Sequence, residues 1–172
     1  MSTFSGKDTA PSHRWLRLLL ILVAALEFLD ALSSLQNIFT DYHHDTALLR
    51  FAQALTSIQL ALSPLLAGAA LIFAALGNIR YAVLALAVLT LVGWVFISLP
   101  SIAIHGIKLS LEFGDLEGLF YYFVVPVVAA AAALLALKDK RLALATLLAC
   151  VPALAKWIAL VAFIIVIMIY GF

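Results

Sequence analysis

Five stretches of this chain stay apolar for about 20 residues or more, the length a helix needs to cross a bilayer. At 1.5 Å rise per residue such a window spans the hydrocarbon core, about 30 Å thick. The windows lie near residues 15–39, 47–76, 81–104, 118–137 and 142–170. With 66% hydrophobic and 11% charged residues, the chain is far from a soluble domain, which carries about 25% charged residues. The expected fold is an all-α polytopic membrane helix bundle of five transmembrane helices, one domain over residues 1–172, with residues 1–13 a disordered tail.

Arg14 and Arg17 before a short apolar stretch resemble the start of a signal peptide. Glu27 and Asp30 interrupt that stretch, and no convincing small-residue cleavage site follows, so it is read as the first span. Basic residues then orient the bundle. Lys7, Arg14, Arg17, Arg80 and the turn Lys138, Lys140, Arg141 fall on one side, and only Arg50 and Lys108 on the other. The N-terminus is therefore expected in the cytoplasm, the C-terminus outside, and the bacterial inner membrane is the expected location. Pro64, Pro100, Pro126 and Pro152 lie inside spans, each a site for a kink. The alternation of Ile107, Leu109, Leu111 and Phe113 with polar residues suggests an extended outer segment, with an interfacial helix as the competing reading. The alanine run 129–133 reads as close helix packing.

Glu27 and Asp30 are the costly residues. Three positions apart, they share one helix face in mid-membrane, where each charge costs about 2.5–3.5 kcal/mol on insertion scales. Projection at 100° per residue places Ser34 and Asp41 on the same stripe, with Asn37 at its edge. Arg50, Gln53, Ser57, Pro64 and Gly68 form a comparable stripe on the second span. Thr90, Trp94, Ser98, Ser101 and His105 do so on the third. Lys156 shares a face of the fifth with Ala149, Pro152 and Phe163. Polarity thus gathers in the outer half, as expected of faces converging on an outward-facing site. Glu27 lies about 15 Å beyond Arg17 and Lys156 about 22 Å beyond Arg141, so Lys156 can reach Glu27 or Asp30. The expected charge cluster is Glu27, Asp30, Arg50, Gln53, Trp94 and Lys156.

Other chemistry is thinner. His43, His44 and His105 fall on the outer side, with Asp41 and Asp45 nearby, and offer a candidate metal site. No HExxH or His-x₃-His spacing supports it, and no histidine lies at the depth a membrane haem needs. The chain lacks GxSxG, P-loop and GxGxxG patterns, and an extended segment would send Ser110 and His105 to opposite faces. Cys150 alone allows no internal disulfide and reads as a packing residue. No basic cluster interleaved with aromatics suggests nucleic acid. Trp15, Tyr42, Tyr81, Tyr121, Tyr122 and Tyr170 read as interfacial anchors.

Three functions follow. The first is a non-enzymatic accessory subunit of a membrane complex or homo-oligomer, with the bilayer and other membrane chains, or copies of itself, as partners. The second is a carrier or binding protein for a small solute, ion or lipophilic molecule, using the charge cluster. The third is a membrane redox or metal-dependent enzyme using the outer histidines. No cofactor is named by the residues.

Overall fold

The computed structural model describes residues 11–39, 47–106, 118–139 and 141–170. Every element among them is helical, and five helices are long and apolar enough to cross a membrane: Arg14–Asn37, Leu49–Ala75, Ile79–Ile104, Phe120–Leu137 and Leu142–Tyr170. They match the apolar windows to within two residues at each end. The first helix starts earlier than the expected end of the tail, at Pro11, whose fixed φ and missing N–H suit a first helical position. Loop residues 41–46 and 107–117, including the alternating stretch, lie outside the described residues.

Each span packs against the next, the fifth returns to the first, and the third touches all four others. Alanine is what lets them approach. Ala67, Ala70 and Ala74 recur at helical spacing on the second span, and Ala129, Ala132 and Ala136 on the fourth; all six are buried. Ala82, Ala87, Ala145 and Ala149 join them from the third and fifth. In lipid, helices associate through close backbone approach rather than exclusion of water, and small side chains permit it. The alanine run is therefore part of the core, with Ala129 and Ala132 fully enclosed.

Two turns tie this end of the bundle together. Gly77 adopts φ 80°, and the Asn78 N–H donates to the Phe73 carbonyl at 2.9 Å, closing the second span with a Schellman-type cap. Arg17 completes that cap from the first span, donating from Nε to the Ala74 carbonyl at 3.2 Å and from its terminal nitrogen to the Ala75 carbonyl. Arg80 does the same for the fourth span, donating to the Leu137 carbonyl at 3.0 Å. Two of the basic residues that mark one side of the chain are thus cations at helix C-termini, where the macrodipole favours them. This is the basic end of the bundle.

The other half is less regular. The third span contains a π-helical turn, Trp94–Ser98, and the fourth begins with another, Phe120–Val124. Proline explains their placement. Pro100 and Pro126 have no N–H to offer the carbonyls of Phe96 and Tyr122, four residues earlier, and widening the preceding turn accommodates the ring. The kinks expected at these two prolines therefore take the form of π-turns, closed by bonds from the Leu99 N–H to the Trp94 carbonyl and from the Val125 N–H to the Phe120 carbonyl. Residues 158–170 of the fifth span are almost wholly exposed apolar side chains.

Candidate functional site

Lys156 is the centre of the site. Its ammonium donates to Asp30 Oδ2 at 2.6 Å and stands 3.9 Å from Glu27 Oε1. The nearer partner is the one that depth arithmetic favours, because Asp30 lies about 20 Å beyond Arg17 and Lys156 about 22 Å beyond Arg141. The Glu27 side chain is 16% exposed, Asp30 35% and Lys156 42%, so the group sits at a wall of the bundle rather than in its packed interior. Its spacing on the first span, Glu27, Asp30 and Ser34, is the stripe read from the sequence, and all three face one cavity.

That cavity, about 210 Å³, is closed from the second span by Gln59 and Ser63. These two were missed. Projection favoured Arg50, Gln53 and Ser57, whereas Gln59 and Ser63 stand on the face that continues through Ala67, Ala70 and Ala74 into the core. The signal was available: a glutamine and a serine four apart, in line with alanines at helical spacing. Gln59 Nε2 donates to Ser63 Oγ at 2.7 Å, and that hydroxyl donates to the Gln59 carbonyl at 2.8 Å. Arg50 and Gln53 line neither of the two cavities, and Arg50 lies about 13 Å along the axis from Gln59. Lys156 is the counter-charge paired with Glu27 and Asp30 among the described residues.

A larger cavity of about 350 Å³ lies on the other side of the same pair. Thr90, Trp94 and Ser98 from the third span line it, as their shared stripe suggested, together with Ala149, Pro152 and Lys156 from the fifth. Phe163, placed on that face by projection, is beyond it and exposed. Tyr121, expected as an interfacial anchor, also lines this cavity. Both π-turns border this space, and one bond links them. The Trp94 indole donates to the Tyr122 carbonyl at 3.0 Å, the carbonyl that Pro126 leaves without its usual donor. Glu27, Leu89, Ile97 and Lys156 belong to both cavities and form the partition between them.

No protein-family model, curated protein or solved structure matches the chain. The site must be interpreted from its own chemistry.

Several polar atoms here are unpartnered. Among the described residues nothing hydrogen-bonds Glu27 Oε1 or Gln59 Oε1, both buried. The Trp157 indole lies beside Glu27, yet its N–H does not reach hydrogen-bond geometry. His43, His44, Asp41 and Asp45 lie outside the described residues, and of His105 only the backbone at the end of Leu99–His105 is described. Among the described residues no three His, Cys, Asp or Glu side chains are grouped to hold a metal ion. Cys150 is buried in the core beside Ala149 and faces the alanine packing.

Proposed function

We propose that this chain is a membrane-embedded binding protein or carrier for a small solute, with Glu27, Asp30 and Lys156 as its working groups. The observation that carries the reading is that Glu27 and Lys156 line two cavities at once. An ion pair serving only to hold helices together gains from being packed on every side, since space beside it forfeits contacts and compensation of its charge. Here space is kept on both flanks, and the larger cavity falls in the range of small-molecule sites, about 300–1,000 Å³. Intramembrane ionisable residues facing a cavity are the usual mark of a substrate or ion site.

In this reading the basic end is cytoplasmic and the site opens outward, in a bacterial inner membrane. Support comes from Arg17, Arg80, Lys138 and Arg141 lying at one end and from Ser34 extending the polar face away from it. A Ser34→Cys variant in a Cys150→Ser background tests both points. It should react with an impermeant methanethiosulfonate added outside right-side-out vesicles, while Asn78→Cys reacts only from within. A Ser34→Cys thiol inert from both sides removes the open site, and reaction only from within reverses the orientation.

A second reading, an accessory subunit or homo-oligomer, has its own support in the exposed apolar half-helix 158–170. Native mass spectrometry of the gently extracted protein separates the two: a fixed stoichiometric assembly favours the subunit, a monomer the binding protein.

A further inference from the structure

We infer that the ligand of this site is an organic cation, a protonated amine carried on an apolar or aromatic body. The inference rests on the binding reading above and adds the charge and shape of what is bound.

Charge comes first. Among the described residues, the charged side chains lining the smaller cavity are Glu27, Asp30 and Lys156, two carboxylates against one ammonium, and Glu27 and Lys156 also line the larger. Lys156 gives its short hydrogen bond to Asp30, while Glu27 stands 3.9 Å away, beyond hydrogen-bond reach. Glu27 Oε1 is left buried and without a donor among the described residues. Turning the Trp157 indole would satisfy one lone pair and leave the negative charge in place. Gln59 Oε1, on the smaller cavity, is a second acceptor without a donor. The site therefore calls for positive charge and N–H donors, which an ammonium supplies together.

Shape decides among cations. A bare metal ion finds no group of three His, Cys, Asp or Glu side chains among the described residues, and would leave the larger cavity unfilled. A proton on Glu27 balances the charge but leaves the larger cavity unaccounted for. That space is walled by Leu86, Leu89, Val125 and Pro152, with the aromatic rings of Trp94 and Tyr121. An apolar body replaces nothing the walls need, and aromatic faces near a cation add attraction. The ammonium would sit at Glu27, and the body would extend toward Trp94 and Tyr121.

Three probes of matched size separate these features: phenethylamine, phenethyl alcohol and phenylacetate, each measured by equilibrium dialysis against the purified full chain in nanodiscs, with empty nanodiscs subtracted. The expected result is amine binding at least about tenfold tighter than the alcohol, with no phenylacetate binding. In Glu27→Gln the preference should collapse, the amine falling to the level of the alcohol. Asp30→Asn provides the same test of charge if Glu27→Gln does not give a monodisperse protein. Alcohol binding as tight as amine binding, or tighter phenylacetate binding, overturns the cationic ligand while leaving a binding site in place. Binding of none of the three overturns the cationic ligand and the binding reading together.

Discussion

The basic end and the cavity half of this bundle are built from the same five helices and obey opposite rules. At the basic end, alanines at helical spacing let backbones close on one another, and Arg17 and Arg80 complete the caps of neighbouring helices. Among the described residues, the Thr146 hydroxyl and Arg80 Nε are its buried side-chain polar atoms without a hydrogen bond. Beyond Leu89 large or polar residues such as Trp94, Tyr121, Gln59 and Lys156 enter the facing surfaces, π-turns precede Pro100 and Pro126, and two cavities lie between the helices. The contrast teaches that a helix bundle opens cavities by changing side chains and turn geometry along its axis, without changing its topology.

The comparison is broken most severely at Lys156. Replacing it by methionine leaves Glu27 and Asp30 without the cation that reaches them, and a charge in mid-membrane costs about 2.5–3.5 kcal/mol. Lys156→Met should therefore show a loss of about 2–3 kcal/mol in a reversible unfolding assay in bicelles, largely restored by adding Asp30→Asn and Glu27→Gln. A stable single variant would show that other groups neutralise the carboxylates.

One bulky substitution placed in the two regions sharpens the contrast. Ala70→Leu, at a fully buried position, should cost about 1–3 kcal/mol through overpacking. Ala153→Leu, beside the larger cavity, should cost under about 1.5 kcal/mol and weaken ligand binding by filling the space. Equal costs in thermal unfolding would mean that the cavity collapses in the membrane.

Smaller effects follow from the hydrogen bonds that shape each region. Trp94→Phe keeps the ring and loses the donor to the Tyr122 carbonyl, so stability should fall by about 1 kcal/mol, with the loss seen in the melting temperature. Arg80→Gln weakens one helix-end cap made by a half-buried side chain and should cost about 0.3–1 kcal/mol at low salt, less at high salt. A salt-independent loss would locate its role elsewhere.

Much of this molecule was legible before any coordinates. The five spans follow from uninterrupted apolar length, and charge, face and rise per residue offer Arg50 and Lys156 as counter-charges, with Lys156 within reach of Glu27 or Asp30. Thr90, Trp94 and Ser98 were found because they recur at four-residue spacing on one helix. On the second span polarity alone ranks Arg50 and Gln53 above Gln59 and Ser63, and it is the latter two that line the smaller cavity. Which polar stripe faces inward is set by the alanines below it, through their fit to neighbouring helices. Tyr121 was taken for an anchor because an aromatic residue near a span end has the same local signature whether it meets lipid or a cavity.

By itself the sequence determined that the chain is helical, that five of its segments are long and apolar enough to span a membrane, and that two carboxylates must find a cation. Those are properties of one segment at a time, set by hydropathy, helical period and the cost of charge in hydrocarbon. Tertiary structure alone decided that Lys156 rather than Arg50 is that cation, that Trp94 from one π-turn serves the carbonyl freed by Pro126 in another, and that cavities flank Glu27 on both sides. Each of these depends on the relative depth and rotation of two or more helices, which no single segment specifies.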